Sequence, residues 1–186
     1  YTPRPEWYFF FLFELLKVFE PNAVLTDNIW GYLWGKLGYG ALLFATALTN
    51  ASIADALEAP KYFETYRRLA GEAMAVAAAK KVKPLGFNGY DPAAFLPGAP
   101  EAATRASIAA MVKHNRGSAK SHSGIWRDLA VRKRKTEIDA QIAIISTIGK
   151  EVGVRTPTVD RLVALIHEIE DGKRPMDWSS LDALAG

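Results

Sequence analysis

One charged residue, Lys36, interrupts the otherwise uncharged stretch Asn28–Ala54 of this 186-residue chain. A lysine in such apolar company either snorkels its ammonium to the surface or lines a cleft. In a cleft, desolvation favours release of its proton, which is the task of a general acid. Glu137 follows the basic run Arg132–Lys135 in KRKTEIDA. It stands in the first turn of an expected helix, where peptide dipoles stabilise a carboxylate; the alternative is an ordinary N-terminal helix acid. Ser121 and Ser123, beside Gly124, can donate hydrogen bonds to an anion or simply meet water. His114, His122 and His167 have no metal-ligand spacing with one another or with carboxylates, so no metal site is expected.

Charge points to an anionic partner. The chain carries +3 overall, yet residues 111–135 hold eight basic side chains and one acid, Asp128, so the remainder is net acidic. One surface should attract an anion. The run Arg132–Lys135 reads as a solvated face, as a grip on a phosphate or carboxylate, or as a nucleic-acid contact. Trp126 is the only aromatic in that segment. Interleaved aromatics or a recognition helix would be needed for nucleic acid, so no such partner is expected. There is no GxGxxG or Walker loop. The nearest glycine cluster, Gly35–Gly40, lies inside an apolar helix instead of following a strand, so no dinucleotide-binding half is visible. The absence of cysteine excludes disulfides, thiolate zinc sites and cysteine nucleophiles, and makes a reducing cytoplasm the expected compartment.

The elements that must position these residues are helical. Apolar spacing predicts helices over Glu6–Phe19, stopped by Pro21, and from Asn28 through Lys36 and onward, capped by Thr26 or Asp27. Gly35, Gly38 and Gly40 predict close approach by another backbone or a ligand, or tight helix packing. Pro60 opens a helix to about Lys81, residues 83–100 form a Pro- and Gly-rich loop, and a helix follows from Glu101 to about His114. Residues 116–124 read as irregular. Thr136 caps a helix to Glu151, with Asp139 as its capping-box partner. Gly153 ends that helix, Thr156-Pro157 starts another to about Glu170, and a short helix begins at Trp178. No alternating strand or internal repeat is found, so the chain reads as all-α. Trp7–Phe13 is far short of the ~20 residues a spanning helix needs, and Leu37–Ala54 contains Thr46, Thr49, Asn50 and Ser52. No membrane partner and no signal peptide are expected. The chain opens at Tyr1, which suggests a truncated or processed product.

In order, W-G-K-L, a long apolar helix ending in T-A-L-T-N, SGIWRDLAVRKRKTEIDA and GVRTPTVDRLVALI resemble the C-terminal helical domain of the ketopantoate reductase (2-dehydropantoate 2-reductase) family. The resemblance covers about residues 12–170, and K-x-T-E-I-D followed by G-V-x-T-P is its most specific part. It implies a multi-helix fold like 6-phosphogluconate dehydrogenase C-terminal domains, with residues 1–186 forming one substrate-binding and dimerisation domain. It implies an N-terminal Rossmann domain, outside this chain, that holds NADPH. It also implies a 2-keto acid substrate in the cleft between the two domains, a role in pantothenate biosynthesis and a possible homodimer. On this likeness Lys36 is the lysine that protonates the ketone oxygen, and Glu137 the glutamate that hydrogen-bonds the substrate hydroxyl. The substrate-holding serine falls at or beside Ser123, the aligned column being Gly124.

Two departures bear on the substrate. Where the family has asparagine four and eight residues after the lysine, this chain has Gly40 and Phe44. The family's I-D-x-x-N-G is here Ile138-Asp139-Ala140-Gln141-Ile142-Ala143. A divergent relative that reduces a different keto acid or another carbonyl is expected. A non-catalytic helical binding or dimerisation module is the alternative.

Overall fold

The computed structural model describes residues 27–186. The expected helix Glu6–Phe19, the run Trp7–Phe13 and a Thr26 cap lie outside the described residues. The long uncharged stretch forms one helix, α1 (Ile29–Thr46), capped by Asn28 and not by Asp27. The Asn28 side-chain oxygen accepts from the Gly31 amide at 2.9 Å, satisfying one of the donors that a helix start leaves unpaired. Its Nδ2 donates to the Lys83 carbonyl at 3.0 Å, so one side chain both starts α1 and holds the 83–90 loop beside it.

The glycines of α1 explain that proximity. A Cβ on Gly35 would sit 1.9 Å from the Leu85 carbonyl oxygen. Another backbone lies against the helix there, and the Leu85 amide donates to the Gly31 carbonyl at 2.9 Å. A Cβ on Gly38 would meet the Tyr90 hydroxyl at 2.3 Å and Met74 Cε at 2.8 Å, so Gly38 serves side-chain packing. Gly40 differs, with only Ile142 Cδ1 at 3.8 Å.

α2 (Ile53–Glu58) and a 3-10 turn (Pro60–Tyr62) lead into α3 (Phe63–Ala79). α1 packs along α3, and Leu42, Phe44, Leu69, Ala73 and Met74 are buried there. The 83–100 loop contains a reversal closed by the Phe87–Tyr90 bridge and a 3-10 turn, Pro92–Phe95. α4 (Glu101–Arg116) packs on α2. A short helix, α5 (Gly124–Trp126), continues as a π-helical turn, Arg127–Arg132. A second π-helical turn, Asp139–Ala143, runs into α6 (Ile144–Glu151). Gly153 follows with φ +73°, then α7 (Pro157–Glu170) and α8 (Trp178–Ala185). Among the described residues there is no strand, and no helix is long and apolar enough to cross a membrane.

Two caps come from across the fold. The Glu72 carboxylate of α3 accepts from the Thr158 and Val159 amides, each at 2.9 Å. It therefore caps α7 where Thr156 makes no side-chain cap, placing negative charge at a helix N-terminus. Glu72→Ala should cost about 1–2 kcal/mol, readable as a lower urea midpoint at unchanged slope. The expected Thr136–Asp139 capping box is replaced by a tertiary one. The Thr136 hydroxyl accepts from the Ile138 amide at 3.3 Å, but its own amide donates to Glu170 Oε1 at 2.7 Å. Asp139 turns instead to His167, 3.1 Å away. The three-carbon acid side chain of Glu170, arriving from α7, reaches the Thr136 amide, which the shorter Asp139 leaves for His167.

Candidate active site

A cleft of about 520 Å³ opens where α1, α4, the 118–128 segment and the second π-helical turn meet. α1 contributes Tyr39, Leu43 and Phe44, and α4 contributes His114 and Asn115. Ser123 and Glu137 line the same cleft. The chain achieves this by reversing direction between them. Lys133 adopts the left-handed conformation, φ 51°, and ends the first π-helical turn with its amide on the Asp128 carbonyl. The backbone then returns, so that Glu137 faces the segment that carries Ser123.

Ser123 is buried, 7% exposed. Its Oγ accepts from the Trp126 amide at 3.1 Å as the N-cap of α5, which leaves the hydroxyl proton free to donate. The Glu137 carboxylate is exposed and accepts from Gln141 Nε2 on the next turn. Lys36 is exposed and is not among the residues lining the cleft. It occupies the stripe of α1 that continues through Tyr39, Gly40 and Leu43, one turn towards the helix N-terminus. Its ammonium has no ion pair or hydrogen bond among the described residues.

Of the readings open for the basic run, the structure fits the solvated face: Arg132–Lys135 are all exposed. None of Arg132–Lys135 lines this cleft. Arg132 Nη1 and Arg134 Nε donate to Asp128 Oδ1 at 2.7 and 3.0 Å, while Lys133 and Lys135 line a separate groove with Arg174. The cations on the cleft are Lys120 and Arg127. Neither side chain has a partner among the described residues. With Asp128 neutralised by its two arginines, Lys120 and Arg127 outweigh the one remaining carboxylate of the cleft, Glu137, by a single positive charge. Their signal in the sequence was the excess charge of residues 111–135, which marked the segment without separating these two from the clasped arginines.

Hydrogen bonding with Arg134, and then with Arg132, holds the Asp128 carboxyl below the usual carboxylate range. A depressed folded-state value adds stability above the unfolded value, ~3.9, and that stability is lost as pH falls through the folded value. The clasp should therefore loosen only below about pH 4. Thermal melts from pH 5 to 2.5 should fall less steeply for Asp128→Asn than for the parent chain.

At the rim, His122 packs on Trp126 with ring centroids 4.1 Å apart and the rings tilted by 35°. Its Nε2 lies 3.2 Å from the Asn50 carbonyl, which can only accept, so Nε2 carries a proton. Nδ1 then accepts from Ser121, 2.9 Å away. The Trp126 indole N–H donates to Asn50 Oδ1 at 3.2 Å, fixing this wall. Histidine spacing in the sequence speaks only against a metal role and carries no signal for this cleft. Among the described residues no cluster of His, Asp and Glu could hold a metal ion, while His114 and His122 both line the cleft.

Residues 28–170 match the family described as ketopantoate reductase PanE/ApbA C terminal. The chain belongs to that family. The ketopantoate reductase C-terminal fold is also seen in solved structures. A PanE/ApbA family ketopantoate reductase from Ralstonia eutropha JMP134 superposes with a TM-score of 0.60 at 24% identity, over 80% of this chain and 43% of that one. D-mandelate dehydrogenase, in a ternary structure with NADH and anilino(oxo)acetate, superposes with a TM-score of 0.61 at 22% identity, over 87% of this chain and 80% of that one. These likenesses establish the fold. The ketopantoate reductase C-terminal domain seen here thus spans less than half of the Ralstonia reductase. No curated protein matches the chain.

Proposed function

We propose that this domain is the substrate-binding part of a nicotinamide-dependent reductase that converts a 2-keto acid to a 2-hydroxy acid. The observation that carries the reading is the joint placement of Ser123 and Glu137 on one anion-favouring cleft, with Lys36 on the helix stripe leading into it. Among the described residues there is no strand followed by a glycine-rich loop, so these residues do not fit a dinucleotide. In this reading NADPH is held by an N-terminal Rossmann domain, from which it supplies the hydride.

The chain's own residues do the rest. Lys120 and Arg127 draw the substrate carboxylate in, and the Ser123 hydroxyl orients it. Reduction places negative charge on the ketone oxygen. The Lys36 ammonium stabilises that charge and transfers its proton to the oxygen, giving the alcohol. Glu137 accepts a hydrogen bond from a hydroxyl of the substrate. Oxidation of NADPH or NADH by the complete reading frame containing this domain, tested across a panel of 2-keto acids, checks the proposal. Turnover with at least one acid is expected, and none with any acid would reject it.

A second reading has its own observation. Ile29, Trp30 and Leu33 are 52%, 66% and 41% exposed at the start of α1. That apolar surface suits a non-catalytic binding or homodimerisation module. Concentration-dependent self-association without any turnover would favour it.

A further inference from the structure

The separate groove, of about 530 Å³, is lined by Lys133, Arg134 and Lys135 and by Arg174 from the segment after α7. Glu170 is the one carboxylate lining it, and that carboxylate already accepts from the Thr136 amide and hydroxyl, each at 2.7 Å. The acids that reach the two arginines from outside the groove are each shared by two guanidinium groups. Asp128 is held by Arg132 and Arg134, and Glu168 by Arg174 at 2.5 Å and Arg161 at 3.7 Å. Asp171 lies near Lys135, but Lys173 claims it at 2.7 Å. Positive charge is therefore left in surplus. Arg174 is half-buried and fixed through Nε, and neither of its Nη groups has a partner among the described residues. Lys133 and Lys135 have no hydrogen bond or ion pair among the described residues.

The floor of the groove is apolar. Leu129 is buried, and Ile169 and Met176 are half-buried and pack on the core. No aromatic ring lines it, so a nucleic-acid base has no surface to stack on. A carboxylate carries one charge, whereas a phosphate group carries up to two and offers three strong acceptor oxygens. That matches two ammonium groups and the planar fork of an arginine. We propose that this groove binds a small phosphate anion. The phosphate lies on Lys133, Lys135 and Arg174, and a carbon body attached to it lies on Leu129, Ile169 and Met176. None of these six residues lines the substrate cleft, and the proposal stands whether or not the domain serves a reductase.

Calorimetric titration of the complete protein with inorganic pyrophosphate tests the assignment, with NADPH saturating so that any phosphate sites of the cofactor are filled. Saturable binding is expected. The double variant Lys133→Gln/Lys135→Gln removes the charge of two exposed side chains and should weaken that binding at least about tenfold, because it deletes two charge-assisted hydrogen bonds. The double variant Lys120→Gln/Arg127→Gln removes as much charge from the substrate cleft and should leave pyrophosphate binding unchanged. Saturable binding that the first variant loses and the second keeps supports the groove. The proposal is overturned by no saturable binding, by binding that the first variant leaves intact, or by an equal loss in both variants, which is what diffuse attraction to a basic surface gives. Phenyl phosphate and inorganic phosphate, titrated in the same way, separate the sources of the anion. Tighter binding of the phenyl ester, lost in the first variant, is expected and makes the ligand a phosphate ester seated on the apolar floor. Equal binding, lost in the first variant, makes it a free inorganic anion.

Discussion

Lys36→Ala in the complete protein is expected to lower kcat for 2-keto acid reduction by about 10²–10⁴-fold, the range for removing a positioned general acid. The loss should fall on kcat more than on KM, because the ammonium acts on charge that develops in the transition state. Folding offers no competing explanation. Lys36 is exposed and has no partner among the described residues, and alanine is the better helix former. Near-normal kcat would show that Lys36 merely snorkels.

Gly35→Ala is expected to destabilise the fold by about 2–3 kcal/mol, the upper part of the range for forcing extra atoms into a packed site. The new Cβ would lie 1.9 Å from the Leu85 carbonyl oxygen and 3.0 Å from its carbon. Both are backbone atoms, so no rotamer change relieves the clash. Either α1 or the 83–90 loop must shift, with loss of the Leu85-to-Gly31 hydrogen bond. Gly40→Ala is the internal control. It meets nothing nearer than 3.8 Å, and should stabilise by about 0.5–1 kcal/mol through helix propensity. Thermal unfolding of the two variants should therefore move in opposite directions. Equal stability would mean that the loop does not lie on the helix.

These two residues show how much of the molecule is legible in the chain. Helices declare themselves through local spacing, so the all-α class, the Thr156-Pro157 start and the Gly153 stop follow from residues a few positions apart. The three glycines announce a close approach, yet only the fold says which partner each one serves: backbone at Gly35, side chains pressed close at Gly38, and an ordinary contact distance to Ile142 at Gly40. Caps supplied from a distance are invisible locally, which is why Glu170 replaces Asp139 at Thr136 and Glu72 serves α7. The site behaves similarly. Ser123 and Glu137 stand out beside the basic segment, their substrate roles follow only from the resemblance, and both line one cleft. The excess of charge in residues 111–135 is legible as local, but its division is not. Arg132 and Arg134 are drawn to Asp128 by the turn at Lys133, while Lys120 and Arg127 are left to the cleft. Composition reports a charge excess, whereas chain reversal decides which charges remain uncompensated.

The most direct measurement is the separation between Lys36 Nζ and the ketone oxygen in a ternary complex of the complete protein with reduced nicotinamide cofactor and a slow 2-keto acid. The account predicts hydrogen-bond distance, about 2.6–3.2 Å, with the acid seated between Ser123 and Glu137. A filled cleft with Lys36 directed away from it into solvent would contradict the account.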